Sequence, residues 1–116
     1  MTRTVYAILS WALAALGGLH MAATSRSANL VSLNALWSFS AGVLMAFCAA
    51  LNLLNRTYGP VAPGVRRVCL AANLVVTAIS VTGGVLSHAG PLEWSIVLGI
   101  LVPLTVLSIW VPTQGA

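Results

Sequence analysis

The chain has 116 residues, of which 59% are hydrophobic and only 5% are charged. Five arginines and one glutamate are its only charged side chains, and they give a net charge of +4. Soluble domains contain about 25% charged residues, so this composition excludes a soluble enzyme, a disordered chain and a nucleic-acid-binding protein. The sequence therefore predicts a small integral membrane protein whose solvent is the lipid bilayer.

Four apolar segments are each long enough to cross a bilayer, which requires about 20 mostly apolar residues. They cover about residues 4–24, 33–54, 68–87 and 92–111. Short polar breaks separate them at 25–29, 55–67 and 88–91, and the last two breaks contain a Gly-Pro pair, which is typical of a turn. We therefore expect an all-α, integral membrane four-helix bundle with four transmembrane helices, forming a single domain over residues 1–116. The first segment is longer than the 7–15-residue core of a signal peptide, so we expect a retained helix.

The arginines predict the orientation of these helices. With four spans, Arg3, Arg56, Arg66 and Arg67 lie on one side of the membrane, and only Arg26 lies on the other. Positive charge close to the ends of spans stays in the cytoplasm. We expect both termini to be cytoplasmic and the protein to lie in the bacterial inner (plasma) membrane.

Small residues on the first helix predict a close contact with another helix. Ser10, Ala14 and Gly18 follow one another at four-residue spacing on one face. Such a small-xxx-small run allows two helix backbones to approach closely.

The second and third helices each carry a stripe of polar residues at three- and four-residue steps. The polar members are Asn34, Ser38, Cys48, Asn52 and Asn55 on the second helix and Cys69, Asn73, Thr77 and Ser80 on the third. Two interpretations remain open: the stripes form hydrogen bonds between helices, or they line a path for a small neutral solute. Asn52 and Asn73 lie at a similar depth, and we expect a hydrogen bond between them.

Two further features concern the middle of the bundle. Cys48 lies about five residues deeper than Cys69, so we expect free thiols instead of a disulfide. Pro103 lacks a backbone N–H and should kink the fourth helix by releasing the carbonyl of Gly99.

The titratable residues offer one candidate metal site. His20, His88 and Glu93 all come close to the outer ends of their helices, and two histidines with one carboxylate and a water can bind zinc or copper. The alternative is that the histidines are hydrated at the interface and that Glu93 favours the positive end of its helix. Since no paired carboxylates, no serine–histidine–acid set and no nucleotide-binding loop are present, we expect neither an enzyme nor a cofactor.

The size and the four-span layout resemble the small multidrug resistance transporters, which work as dimers. Cation exporters of that family depend on an acidic residue in the first helix, and residues 4–24 contain none. Three functions therefore remain. We expect an accessory or scaffold protein that packs with itself or with a larger membrane complex; the alternatives are a homo-oligomeric small-solute transporter or channel, and an outer-face metal- or cofactor-binding protein.

Overall fold

A computed structural model describes residues 1–26 and 31–111 of the chain, and all the regular structure in them is helical. Helix α1 covers Thr2–Ser25, α2 covers Leu33–Tyr58 and α3 covers Pro63–Leu86. The fourth span, Pro91–Trp110, consists of α4 (Pro91–Ile96), a π-helical segment (Val97–Leu101) and α5 (Val102–Trp110). All four are long and apolar enough to cross a membrane, so the predicted all-α fold with four membrane-spanning helices is confirmed. The predicted break at 25–29 lies partly outside the described residues.

The connection between α2 and α3 is much shorter than the predicted break at 55–67. α2 continues to Tyr58, and the turn ends with the Ala62 N–H donating to the Tyr58 carbonyl at 2.8 Å. α3 then begins at Pro63, which suits a first helical position because the N–H that proline lacks would have no helical partner there. The arginines of this break therefore belong to helix ends, where long basic side chains can reach the membrane surface.

α1 and α2 pack most closely at a pair of glycines. A Cβ atom on Gly17 would lie 2.6 Å from the carbonyl oxygen of Gly42, and one on Gly42 would lie 2.7 Å from that of Gly17. Gly18, which the sequence pattern placed at a helix contact, is exposed, and a Cβ there would meet nothing within 4 Å. That expectation is wrong because adjacent residues point about 100° apart on a helix, and Gly17 is the one that faces α2.

The fourth span departs from regular α-helix just before its proline. Within the π-helical segment the Val102 N–H donates to the carbonyl of Val97, five residues earlier. Pro103 follows in the first turn of α5, where its missing N–H is tolerated. The irregularity that the sequence predicts is therefore present, but it takes the form of a widened turn.

The tightly packed core extends from the end of the bundle that contains the N-terminus to its middle. Tyr6, Leu13, Val76, Leu101 and Leu104 are all buried there. Large apolar side chains such as those of Trp11, Phe47 and Leu98 are exposed on the outside of the bundle. A protein with these outer faces requires a hydrocarbon solvent.

Candidate functional site

A group of neutral polar side chains is buried where the N-terminal half of α1 meets α2 and α3. It comprises Tyr6, Cys48, Asn52, Asn55, Cys69 and Asn73, here called the polar cluster. Each is at most 2% exposed. Burying polar groups in hydrocarbon is unfavourable unless they are hydrogen-bonded, so the partners of each side chain decide what the cluster does.

The centre of the polar cluster is a reciprocal pair of amides. Asn52 Nδ2 donates to Asn73 Oδ1 at 2.8 Å, and Asn73 Nδ2 donates to Asn52 Oδ1 at 3.0 Å. The predicted contact between these asparagines is therefore present, with two hydrogen bonds instead of one. The second Nδ2 hydrogen of Asn52 reaches the Cys48 carbonyl at 2.8 Å, so this side chain has no free donor.

Tyr6 and Asn55 extend the polar cluster to α1 and α5. The Tyr6 hydroxyl donates to Asn52 Oδ1 at 2.7 Å and accepts from Asn55 Nδ2 at 3.0 Å. Asn55 Nδ2 also donates to the backbone carbonyl of Ser108 at 3.1 Å. The network thus connects α1, α2, α3 and α5, and among the described residues only Asn55 Oδ1 is a buried side-chain polar atom without a partner.

The two cysteines are free thiols on either side of the amide pair, as expected. Cys48 Sγ donates to Asn73 Oδ1 at 3.0 Å, and Cys69 Sγ lies 3.7 Å from both the Tyr6 hydroxyl and Asn73 Nδ2. They act as small polar partners inside the polar cluster.

Farther from the polar cluster, the stripes of α2 and α3 diverge. Ser38 accepts a hydrogen bond from Thr24 of α1 at 2.9 Å, and Thr77 lies 3.4 Å from the hydroxyl of Thr105 in α5. Asn34 is exposed, so its predicted place in the interior is wrong. Hydrogen bonds between the two stripes therefore occur around Asn52 and Asn73, whereas Ser38 bonds to α1 and Thr77 approaches α5.

A cavity of about 290 Å³ lies between all four spans in the other half of the bundle, here called the central cavity. Its polar lining includes His20, Ser80 and Glu93, while Leu16, Met45 and Ile79 belong to its apolar wall. His20 is half-buried and Glu93 is exposed. The cavity can accept a small, mostly apolar molecule with a few polar groups.

The structure does not assemble the candidate metal site. Among the described residues, no three histidine, cysteine or acidic side chains lie close enough to bind one metal ion. His88 follows the end of α3 with a positive φ of 53° and is exposed. Glu93 Oε2 lies 3.0 Å from where a Cβ on Gly90 would be, so the carboxylate folds back toward the start of its own helix. That position favours negative charge, which agrees with the alternative interpretation of Glu93.

One member of the polar cluster, Tyr6, was not apparent from the sequence pattern, whereas Asn55 belongs to the predicted stripe of α2. Tyr6 resembles an interfacial aromatic residue because it lies in the first turns of α1, and Asn55 falls at the start of the predicted break. The three- and four-residue spacing from Cys48 through Asn52 to Asn55 is the one signal that connects Asn55 to the interior. No such signal exists for Tyr6.

The fold and the buried network define a small polytopic membrane protein held together by neutral polar contacts between its helices. Comparison of the chain with models of protein families, with curated proteins and with solved structures finds no match.

Proposed function

We propose that the chain is an accessory protein of the bacterial inner membrane that packs with a second copy of itself or with a larger membrane complex and catalyses no reaction. The observation that supports this most is the use of the polar stripes. Asn52 and Asn73 bond each other, and Ser38 and Thr77 pair with hydroxyls of other helices. Residues that were candidates for a solute path thus serve to join the helices, which is the usual role of polar side chains in membrane bundles.

The mass of the assembly tests this proposal. After detergent-free extraction of the membrane into polymer-bounded discs, native mass spectrometry should show the 12.0-kDa chain in complexes with at least a second protein chain. The association should persist on dilution, because an accessory protein acts through a stable contact. A single copy in every particle would contradict the proposal.

The central cavity supports a second candidate, a homo-oligomeric transporter or channel for a small solute. The cavity reaches Ser80, whereas Val76, one helical turn deeper on α3, is buried beside the polar cluster. A solute that entered the cavity would meet the hydrogen-bonded side chains of the polar cluster before the far side of the membrane. Transport would therefore require the polar cluster to open.

Single cysteine substitutions test both the orientation and this second candidate. In intact cells, a membrane-impermeant thiol reagent should label Ser87→Cys and leave Thr2→Cys unlabelled, because the arginine distribution predicts cytoplasmic termini. Val76→Cys should also stay unlabelled by a small water-soluble reagent. The wild-type chain, whose two cysteines are buried, provides the blank.

Labelling of either of the two variants that are expected to stay unlabelled would contradict the corresponding prediction. Labelling of Thr2→Cys from outside would reverse the proposed orientation. Labelling of Val76→Cys would show water beyond the cavity and would favour the transporter or channel over the accessory protein.

A further inference from the structure

Four of the five arginines gather at one end of the bundle, without an acidic side chain near them. Arg3 starts α1, Arg56 ends α2, and Arg66 and Arg67 lie in the first turns of α3. The only carboxylate side chain, that of Glu93, lies in the first turn of the fourth span. The 24 residues of α3 separate the two ends by about 36 Å, far beyond the screening length of about 8 Å at physiological salt.

Arg3 and Arg56 are held side by side by reciprocal bonds to each other's backbone. Arg3 Nη2 donates to the Arg56 carbonyl at 2.9 Å, and Arg56 Nε donates to the Arg3 carbonyl at 3.1 Å. A guanidinium group has five N–H donors, so each side chain keeps most of its donors for another acceptor. Two like charges fixed next to each other repel, and an anion between them would relieve this repulsion.

Arg66 and Arg67 add positive charge where it is unfavourable for the helix. They lie close to the start of α3, whose N-terminal end already has a partial positive charge. Ala62, the N-cap residue, provides no side-chain hydrogen bond there. Within the described part of the chain, no hydrogen bond or ion pair to either guanidinium group is found. An anion at this end would therefore stabilise both the arginines and the helix.

The position of the arginines identifies the source of the anion. Val5, Leu54 and Val68, one or two residues further into their helices, are exposed apolar side chains that belong in the acyl chains of the bilayer. The guanidinium groups therefore lie at headgroup level, where arginine binds phosphate oxygens through paired hydrogen bonds. We infer that Arg3, Arg56, Arg66 and Arg67 form a binding surface for the phosphate group of an anionic phospholipid.

Lipid titration followed by native mass spectrometry tests this inference, with phosphatidylglycerol and phosphatidylcholine as the two probes. The wild-type chain in a neutral detergent should bind phosphatidylglycerol more tightly than phosphatidylcholine. The Arg66→Gln/Arg67→Gln variant should raise the Kd for phosphatidylglycerol about 25-fold, because each arginine near anionic headgroups contributes about a fivefold change. The Arg3→Gln/Arg56→Gln variant should also raise the Kd for phosphatidylglycerol.

Arg26→Gln is the control, because it removes a positive charge from the opposite end of α1. It should leave both Kd values unchanged. Circular dichroism checks that each variant is folded. The Arg66→Gln/Arg67→Gln variant leaves unchanged the side chains that form the reciprocal bonds of Arg3 and Arg56. Equal binding of the two lipids by the wild-type chain would overturn the inference. So would an unchanged Kd in the Arg66→Gln/Arg67→Gln variant, or an equal loss in Arg26→Gln.

Discussion

Asn52→Leu is expected to destabilise the folded bundle by about 2 kcal/mol. The side chain makes four hydrogen bonds to α1 and α3, and the three that do not involve the Cys69 thiol each contribute roughly 0.6 kcal/mol or more. Leucine has the same branched arrangement of side-chain heavy atoms, but it removes both hydrogen bonds to the Asn73 amide and the acceptor of the Tyr6 hydroxyl. Reversible unfolding in mixed micelles of increasing dodecyl sulfate content, followed by circular dichroism, measures this change. The effect should be the largest among the polar cluster, because no other member makes as many hydrogen bonds to other helices.

A double-mutant cycle with Asn73→Leu separates the amide pair from the rest of the network. Since the two side chains exchange two hydrogen bonds, we expect a coupling free energy of about 1 kcal/mol. Asn34→Leu is the matched control, because Asn34 lies on the same helix and is exposed. A coupling of zero, or an equal destabilisation by Asn34→Leu, would contradict the assignment of Asn52 as the centre of the polar cluster.

Gly17→Ala should destabilise the bundle by about 1–3 kcal/mol, the cost of forcing an extra methyl group into a tightly packed interior. The new Cβ would lie 2.6 Å from the backbone oxygen of Gly42, so α1 and α2 would have to move apart. Because backbone atoms cannot rotate away as a side chain would, the strain extends to the whole α1–α2 contact. The same unfolding measurement determines the effect.

Gly18→Ala is the control that the chain itself offers. A Cβ there meets nothing within 4 Å, and alanine favours helix over glycine by up to about 1 kcal/mol. This variant should be neutral or slightly more stable than the wild type. Equal destabilisation by both substitutions would mean that α1 packs through a different face from the one observed.

Local chemistry in the sequence was sufficient to predict the four spans. Because hydrocarbon accepts only segments with satisfied backbone groups and apolar side chains, a run of about 20 apolar residues is already a helix across the membrane. The same reasoning predicted helices that are too short near residues 55–67, because it assigned the polar residues and arginines there to a loop. In the structure these residues extend α2 and α3, because helix ends at the membrane surface tolerate polar side chains.

The candidate site was only partly predictable. The spacing of Asn52 and Asn73 within their helices predicted a contact, and both amides do meet. The proposed ligands His20, His88 and Glu93 have suitable chemistry, yet they do not form a three-ligand group. Their positions near helix ends fixed their depth but not the direction of their side chains.

Composition and hydropathy by themselves determined that this chain is a membrane bundle and where its helices run, because each span satisfies its own backbone within one segment. Only the tertiary structure decided that Gly17 and not Gly18 meets α2, that Tyr6 joins the polar cluster, and that Asn34 faces outward. Those choices depend on the rotation of each helix about its axis and on the angle at which it crosses its neighbours. Both are set by the joint packing of side chains from several helices, which no single segment of sequence contains.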